Sequence, residues 1–458
     1  MKNLIEQFRE ILPETCILTG DALRGRSGGW EHSGPIQAQA LIRPRTTEEV
    51  AAVFRLCHAA GQRVVTHGGL TGLVGGAHAT IDDVVLSLEL MNAIEQIDPV
   101  GRTATVQAGV MLQKVQESVE KAGLLFALDL GARGSCTIGG NVATNAGGNH
   151  VIRYGMTRDL VLGLEVVLAD GATVPMMNTM IKNNAGYDLK HLFIGSEGTL
   201  GVVTRAVLRL RERPRSHNTA LIAVNRFDDI LSLLKTMDAA LGGSLAAFEV
   251  MWQEYYQFVT TPPVSNKPPL HQGYPFYLIV ESHGGHPEAD RASFEAALEQ
   301  AVAAELIADA VVTQTRAERA AIWDIRDSVS EAQRFEPLFI FDISLALREM
   351  HSYVEEVHAA LRAAWPQIRC FTFGHLGDGN LHFMISTGES EEQSRCRVEE
   401  IVYKPLVARH GSISAEHGIG LEKKAYLPWC RSAAEIDMMR ALKKTFDPKG
   451  ILNPGRIF

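Results

Sequence analysis

The N-terminal half of the chain alternates short β-prone runs with helical patterns and glycine turns. The clearest helix follows Thr46, which is predicted to form a capping box with Glu49. Apolar residues that would form its buried face recur at helical spacing, at Val50, Val53, Phe54 and Cys57. Gly61 is predicted to end this helix. Apolar and alternating runs predict strands at 63–66, 83–88, 163–168 and 198–210.

A polar connector that contains proline, at 211–218 (RERPRSHN), interrupts this pattern. Residues 219–410 then mix helical and strand patterns, and the alanine-rich run 289–308 predicts a helix. After Gly411 a short tail ends in FDPKGILNPGRIF. The pattern therefore predicts an α+β protein with divisions near residues 213 and 410.

Composition narrows the class of protein. Of 458 residues, 46% are hydrophobic and 21% are charged, which excludes wholesale disorder. A net charge of −9 argues against nucleic acid as a partner. The six cysteines form no CxxC pair, which argues against a disulfide framework, a thiolate zinc site and an iron–sulfur cluster.

The sequence also bears on location. It holds no apolar run long enough to span a membrane and no signal-peptide pattern at its first residues. Scattered cysteines suit a reducing compartment. We therefore expect a cytoplasmic protein without a transmembrane segment, and attachment at a membrane surface is left open.

Glycine is clustered in two stretches, 67–76 (HGGLTGLVGG) and 131–155, the second of which includes TIGGNVATNAGG. Paired glycines let backbone N–H groups approach an anion closely, and threonine and asparagine add neutral donors. The alternative is a pair of tight surface turns, which would not need so many glycines. Neither stretch has the Walker A spacing or the GxGxxG of a Rossmann site. The pattern favours a pyrophosphate site built without lysine.

Histidines mark a second candidate site. His375 and His382 flank a GDG turn, so a hairpin-like fold-back would bring them together. Glu416 and His417 lie downstream among small residues. Two histidines and a carboxylate are a common catalytic metal set, whereas the alternative is that these histidines cap turns or lie in the core. A single histidine would favour the structural alternative. We favour the metal site, because two histidines flank one turn and a further Glu-His pair lies in a glycine-rich loop.

The motifs carry a family resemblance. After the two glycine stretches come 182–188 (KNNAGYD) and 195–201 (GSEGTLG). In this order the four resemble the vanillyl-alcohol-oxidase-type FAD-binding superfamily, within its branch of D-2-hydroxy acid dehydrogenases acting on D-lactate, D-2-hydroxyglutarate or glycolate. The resemblance covers nearly the whole chain. It implies an α+β fold with a two-subdomain FAD-binding domain at 1–213 and an α+β cap (substrate) domain at 214–410. Residues 411–458 would pack back on the FAD domain and complete the active site.

The resemblance implies FAD as cofactor and a set of residues that contact it. They are His67, Gly68, Gly69, Leu70, Thr71, Gly72 and Gly76 in the first stretch; Gly131, Ser135, Thr137, Gly139, Gly140, Asn141, Thr144, Asn145, Gly147, Gly148 and Gly155 in the second; and Glu197, Gly198, Gly201, Val202 and Asn453 further on. Covalent members of the superfamily can carry histidine where this chain has Leu70. Leucine forms no bond to a flavin, so we expect non-covalent FAD.

The resemblance also assigns roles in the second site. It implies His375, His382 and Glu416 as ligands of a divalent metal and His417 as the catalytic base. Zinc is the first candidate, with manganese, iron and cobalt as alternatives. Arg326 and Ser330 are implied to bind substrate together with His375, His382 and His417, with Arg326 as a fork for a carboxylate.

Two departures bear on the substrate. Hydroxyglutarate members place lysine shortly before the Asp-x-Ser-Leu run, where this chain has Phe339, Ile340 and Phe341. They place asparagine two residues after the second metal histidine, where this chain has Met384. A second carboxylate would lose about 1–3 kcal/mol for each buried partner it lacks. We therefore expect oxidation of D-lactate or another D-2-hydroxy acid with an apolar side chain.

Several alternatives stay open at this level. The substrate alternative is D-2-hydroxyglutarate, and the acceptor alternative is dioxygen, as in an oxidase. An external acceptor would be a quinone, an electron-transfer flavoprotein or a cytochrome. A further alternative is a flavoprotein subunit or redox sensor without turnover, which the histidines argue against. Another is a metal-dependent hydrolase, which the glycine stretches argue against. The resemblance also implies a homodimer.

Overall fold

A computed structural model describes residues 3–29 and 34–458 of the chain. In chain order its strands are β1 Ile17–Leu18, β2 Ala40–Ile42, β3 Val64–His67, β4 Val84–Ser87, β5 Ile94–Asp98, β6 Thr103–Gln107, β7 Leu124–Leu125, β8 Val161–Val167, β9 Thr173–Met176, β10 Val202–Arg209, β11 Arg211–Glu212, β12 Ser216–Val224, β13 Leu245–Trp252, β14 Phe276–Gly284, β15 Asp309–Val312, β16 Phe339–Ser344, β17 Arg369–His375 and β18 Asn380–Ser386.

The α-helices follow the same numbering. They are α1 Leu4–Ile11, α2 Gly20–Arg24, α3 Thr47–Ala60, α4 Leu112–Glu120, α5 Ile138–Thr144, α6 Val151–Tyr154, α7 Thr157–Leu160, α8 Lys190–Phe193, α9 Phe227–Leu241, α10 Gln253–Val259, α11 Pro287–Ala303, α12 Arg316–Asp327, α13 Met350–Ala364, α14 Glu392–Ala408, α15 Leu427–Cys430 and α16 Ala433–Phe446. Short 3-10 helices cover Glu14–Cys16, Ser328–Phe335, Leu347–Glu349, Leu376–Asp378 and Lys424–Tyr426.

Internal contacts divide the chain into two compact units. Unit 1 comprises Met1–Gly147, Gly155–Arg213 and Glu416–Phe458, and unit 2 comprises Gly148–Tyr154 and Pro214–Ala415. Strands β11 and β12 take up most of the predicted connector, so the boundary falls between Arg213 and Pro214. The extended sequence around this point pairs into sheets because its backbone groups need partners.

Unit 1 is built on two main sheets. One has the strand order β1-β2-β4-β3, in which β2, β4 and β3 are parallel, and the other is antiparallel with the order β5-β6-β10-β8-β9. Strands β3, β4, β8 and β10 confirm the predicted strands within a few residues. β10 begins at Val202 rather than 198 because the glycine-containing residues before it form a turn.

Helix α3 confirms the clearest sequence prediction. The Thr46 hydroxyl accepts a hydrogen bond from the Glu49 N–H at 3.2 Å, and the predicted face at Val50, Val53, Phe54 and Cys57 is fully buried. The helix ends at Gly61 in the left-handed conformation. The capping box is half formed, since the Glu49 carboxylate accepts from the Arg45 N–H at 2.7 Å instead of the Thr46 N–H.

Unit 2 is built on an antiparallel sheet with the strand order β15-β12-β14-β13-β17-β18-β16. Helices α9, α11, α13 and α14 pack on one face, and α10, α12 and the 3-10 helix Ser328–Phe335 pack on the other. Helix α11 confirms the alanine-rich helix predicted at 289–308. It ends at Ala303, and β15 follows at Asp309.

The two glycine-rich stretches of unit 1 lie in direct backbone contact. A Cβ atom at Gly69 would overlap the carbonyl oxygen of Ser135 and lie 2.7 Å from the Cα of Cys136. A Cβ at Gly68 would lie 2.8 Å from the hydroxyl of Thr137. These approaches require glycine because any side chain would push the stretches apart.

None of the helices in residues 3–29 and 34–458 is both long and apolar enough to cross a membrane.

Replacing Gly69 with alanine should weaken unit 1 by roughly 1–3 kcal/mol, because the new methyl group meets backbone that cannot move aside. The matched control is Gly72→Ala, since a Cβ at Gly72 would have no described atom within 4 Å apart from those of its chain neighbours. Urea unfolding followed by circular dichroism measures both. Equal midpoints for the two variants would contradict the contact between the stretches.

Candidate active site

One face of the unit 2 sheet carries a row of polar side chains. Because side chains alternate along a strand, residues paired across neighbouring strands share a face. Thr219 pairs with Glu281, Glu249 with His375, and Asp342 with His382. The same face continues into the apolar cluster under α10 and α12. The alternation thus divides this face into a polar row and an apolar part.

The predicted fold-back at the GDG turn is confirmed. β17 ends at His375, the 3-10 turn Leu376–Asp378 follows, and β18 begins at Asn380. The rings of His375 and His382 lie edge to face with centroids 5.3 Å apart, and both side chains are buried. Burial raises the pKa of Asp378 in the turn to about 6. Two imidazoles at this separation have the donor chemistry that a divalent metal prefers.

Glu249 on β13 fixes two of the predicted residues. Its Oε1 lies 2.7 Å from His375 Nδ1 and its Oε2 accepts from Arg326 Nε at 2.9 Å. All three side chains are buried. With Nδ1 held by a carboxylate, His375 presents Nε2 as the remaining ring nitrogen, which is the usual arrangement of a metal-binding histidine.

The electrostatics of this group are those of a buried ion pair. Burial alone would raise the pKa of Glu249, but the nearby His375 and Arg326 outweigh it and hold that pKa below its ordinary value. Arg326 also stacks over the ring of Phe373 at 4.6 Å. Among the described residues, no hydrogen-bond acceptor engages the two terminal nitrogens of Arg326. This fork remains available to a carboxylate.

Asp342 holds the chain just before the EHG sequence. It is fully buried, its Oδ1 accepts from Asn380 Nδ2 at 2.9 Å, and its Oδ2 accepts from the Ala415 N–H at 3.0 Å. Ser412 and Ser344 exchange backbone hydrogen bonds in the same region. Ala415 is the last residue of unit 2, and Glu416 follows it by one peptide bond.

In unit 1 the half-buried carboxylate of Glu197 holds the chain just after His417. Glu197 accepts from the N–H groups of Ile419 and Gly420, each at 2.7 Å. Burial outweighs these bonds and raises the pKa of Glu197. A Cβ at Gly147 would lie 2.6 Å from Glu416 Oε1, so glycine is required where the second stretch meets this carboxylate.

The predicted cofactor residues fall mostly in unit 1. Only Gly148, among those named above, belongs to unit 2 within the described chain. The backbone is open at Gly72, Gly76 and Gly131, where a Cβ would have no described atom within 4 Å apart from those of its chain neighbours. Leu70 takes a left-handed φ of 56°, which a leucine adopts only under constraint. Open glycine backbone beside a constrained loop fits an extended anionic ligand such as a dinucleotide.

Some predicted cofactor residues serve the protein itself. His67 Nε2 lies 2.8 Å from the Ala77 carbonyl oxygen, and burial lowers its pKa to about 4. Asn453 accepts from the Thr66 N–H at 2.8 Å and donates to the Glu197 carbonyl oxygen at 2.6 Å. These bonds brace the loops around the open backbone. A contact of either residue with a cofactor stays a prediction.

The two substrate departures meet across the sheet. Ile340 on β16 lies directly opposite Met384 on β18, one pair beyond Asp342 and His382 on the same face. Met384 belongs to the apolar cluster with Phe371 and Phe373. Ser330 lies in the 3-10 helix after α12 and is exposed, whereas Arg326 is buried in the last turn of α12.

Family comparison gives the class of the chain. The family model described as FAD linked oxidases, C-terminal domain, matches residues 213–457, and one described as FAD binding domain matches residues 38–176. The chain belongs to the FAD-linked oxidase family. The resemblance inferred from the four motifs is thereby confirmed.

Relatives of this FAD-linked oxidase agree with that placement. A D-2-hydroxyglutarate dehydrogenase of Xanthomonas citri pv. viticola is 41% identical over 92% of this chain and 89% of its own length. A putative mitochondrial D-lactate dehydrogenase of Schizosaccharomyces pombe is 35% identical over 93% of this chain and 82% of its own. The chain is thus an FAD-linked oxidoreductase of the D-2-hydroxyglutarate and D-lactate dehydrogenase type.

A solved structure shows the same fold. The 4-ethylphenol oxidase of Gulosibacter chungangensis superposes with a TM-score of 0.78 at 18% identity, over 99% of this chain and 96% of the other. The mixed α and β architecture expected from the sequence, with an FAD-binding domain of the vanillyl-alcohol-oxidase type, is confirmed.

Two residues of this site escaped the sequence argument. Glu249 lies in the run AAFEVMW, where a lone carboxylate amid apolar β-prone residues is the one local signal. Asp342 lies in FIFDIS, with the same signal. A charge inside a strand that is otherwise apolar requires a buried partner, but the sequence does not say which one.

Glu249→Gln should destabilise the protein by about 3–5 kcal/mol, because it leaves the Arg326 charge buried without its counter-ion. Since the folded pKa of Glu249 is depressed, its contribution is present above the ordinary value of 4.5 and is lost as the pH falls below it. The variant should therefore show a flatter loss of stability in acid. Thermal unfolding across a pH series measures both effects.

Glu254→Gln is the matched control, because Glu254 pairs with Arg362 at 3.5 Å on the surface. Such a pair is worth about 0–1 kcal/mol. If both variants unfolded alike at every pH, Glu249 would not hold the site together.

Proposed function

We propose that the chain catalyses FAD- and divalent-metal-dependent oxidation of a D-2-hydroxy acid to the 2-oxo acid. The observation that carries this proposal is the buried Glu249, which fixes an imidazole and a guanidinium on one sheet face. An imidazole whose Nδ1 is held by a carboxylate suits metal binding through Nε2, and a guanidinium fork suits a carboxylate. A 2-hydroxy acid offers both a hydroxyl and a carboxylate to such a pair.

FAD would be held by the glycine stretches around residues 67–76 and 131–148. When bound, it would accept the hydride from C2 of the substrate at its N5 atom. The open backbone at Gly72, Gly76 and Gly131 supports this placement. Leu70 offers no nucleophile, so attachment would be non-covalent.

His375, His382 and Glu416 would hold the metal, with zinc as first candidate and manganese, iron or cobalt as alternatives. When bound, the metal would act as a Lewis acid that lowers the pKa of the substrate hydroxyl. The buried histidine pair and the Glu249 contact to His375 Nδ1 support this ligand set. Glu416 follows Ala415, which Asp342 holds in place.

The remaining roles fall to His417, Arg326 and Ser330. His417 would take the hydroxyl proton as general base while the hydride leaves C2. Arg326 would hold the substrate carboxylate with its terminal nitrogens, and Ser330 would add a hydroxyl. Glu197 holds the N–H groups of Ile419 and Gly420 just after His417, which supports a fixed position for the base within unit 1.

The substrate's side chain would be small or apolar, as in D-lactate. The paired Ile340 and Met384 support this choice, because a second carboxylate beside them would be desolvated without partners. D-2-hydroxyglutarate is the second candidate, and the name of the relative from Xanthomonas supports it. Electrons would pass to an external quinone, electron-transfer flavoprotein or cytochrome, or alternatively to dioxygen. We further propose that the protein is cytoplasmic and forms a homodimer.

Anaerobic mixing of the flavin-loaded protein with a panel of D- and L-2-hydroxy acids tests the reaction class. D-Lactate and D-2-hydroxybutyrate should bleach the visible flavin band, and their L-isomers should not. Malate, mandelate and 2-hydroxyglutarate complete the panel. Bleaching by D-2-hydroxyglutarate alone would contradict the preference for an apolar side chain but would support the dehydrogenase reaction. If no acid bleached the flavin, with or without added zinc or manganese, the proposed oxidation of a 2-hydroxy acid would be contradicted.

The side-chain choice predicts a gain of function. Ile340→Lys combined with Met384→Asn should raise the preference for D-2-hydroxyglutarate over D-lactate, as measured by kcat/KM, by roughly 10- to 100-fold. The new polar groups would pair with the second carboxylate of the longer acid. Ile340→Leu with Met384→Leu is the control and should keep the original preference. An unchanged preference in both doubles would show that this pair does not face the substrate.

A further inference from the structure

A second group of metal-ligating side chains lies in unit 2. His283 Nε2 is 2.7 Å from Glu281 Oε1, and His150 Nε2 is 3.5 Å from the same oxygen. One candidate ligand atom from each of the three residues lies within 4.8 Å of the others. None of these residues takes part in the proposed reaction. We propose that His150, Glu281 and His283 form a second divalent-cation site.

The donor set fits a first-row divalent ion. Two imidazole nitrogens and one carboxylate oxygen match zinc chemistry, and three protein ligands leave a position for water. In a tetrahedral site with bonds of about 2.0–2.1 Å, ligand atoms lie roughly 3.3 Å apart. The separations in this cluster are close enough that small side-chain shifts would admit an ion.

The outer contacts of the cluster are those of a built metal site. Glu281 Oε2 accepts from Trp323 Nε1 at 2.9 Å and from the Thr219 hydroxyl at 2.6 Å, so Oε1 is the oxygen that faces the two imidazoles. His283 Nδ1 lies 3.2 Å from the Tyr154 hydroxyl. Metal-binding histidines and carboxylates usually have such partners, because these fix the ring and the carboxyl plane.

The two ring nitrogens of His283 also suit a ligand role. Nε2 faces Glu281 Oε1 at 2.7 Å, and Nδ1 lies 3.2 Å from the Tyr154 hydroxyl. With an ion on Nε2, the ring proton would lie on Nδ1, where the Tyr154 oxygen can accept it.

Position separates this cluster from the proposed active-site metal. Glu281 lies on β14, two strands from His375 on β17 and two residues further along the face. Strand geometry puts that separation at about 12 Å. His150 is the most exposed of the three, at 15% of its side chain, which gives an ion an entry side.

The site would also fasten a segment of chain. Gly148–Tyr154 joins unit 2 although the residues before and after it belong to unit 1. Arg153 already donates to the Ser244 carbonyl oxygen at 3.0 Å. An ion shared by His150 and β14 would add a bond between this segment and the sheet, which should make folding partly dependent on metal.

Zinc stoichiometry of the full-length, flavin-loaded protein tests the proposal. The protein is stripped with a chelator and titrated with Zn²⁺, and zinc and flavin per chain are measured. His283→Gln and Glu281→Gln should each bind one equivalent fewer than the wild type. His217→Gln is the matched control, because the His217 ring lies edge to face with His283, with centroids 4.4 Å apart, without belonging to the ligand set. It should bind as the wild type does.

His382→Gln separates the two metal sites. Suppose that the wild type binds one equivalent of zinc, which His283→Gln loses and His382→Gln retains. The second site would then be supported, and the active-site metal would be contradicted. If wild type, His217→Gln, His283→Gln and Glu281→Gln all bind the same number of equivalents, including none, the cluster is only a hydrogen-bonded group. His150→Gln, at the more exposed position, replaces any variant whose flavin content or circular dichroism shows misfolding.

Discussion

The carboxylate of Glu249 is the constraint on which the polar row of the unit 2 sheet depends. A charge buried in a sheet is tolerated only when partners satisfy it, and here those partners are His375 and Arg326. The cost of leaving the carboxylate unpaired therefore fixes two side chains from different elements at once. One becomes an imidazole of defined orientation and the other a guanidinium with its fork free. The chemistry proposed for the site needs both of these properties.

The sheet supplies the second constraint through its period of two. Residues that share the face of Glu249 divide into a polar row, from Thr219 to Asp342, and an apolar remainder that contains Ile340 and Met384. A shift of one residue in any strand would send these side chains to the opposite face, under α9 and α13. The register thus determines where a substrate would meet charge and where it would meet apolar surface. The same register aligns Glu281 with Thr219 at the other end of the row.

Local sequence patterns predicted the features that depend on residues close together in the chain. The spacing of Val50, Val53, Phe54 and Cys57 and the caps at either end sufficed for α3, and the GDG turn sufficed for the fold-back between His375 and His382. The glycine stretches indicated an anion site because their composition has few other uses. The partners of Glu249, Asp342 and Glu281 escaped prediction, because a buried carboxylate selects partners by tertiary proximity and those lie up to 131 residues away, as for His150 and Glu281. Half of the predicted capping box failed for a similar reason, since the Arg45 N–H competes for the Glu49 carboxylate.

A backbone anchor can fix a nearby side chain even where the chain has no regular structure. In unit 1 Glu197 accepts hydrogen bonds from the N–H groups of Ile419 and Gly420, just after His417. Releasing these bonds would leave a half-buried carboxylate without two of its donors, so the anchor resists opening. Only Gly418 separates His417 from the anchored backbone, which restricts the conformations open to the histidine. The general base proposed at His417 would gain from that restriction, because the entropy of ordering it is lost on folding rather than at each turnover.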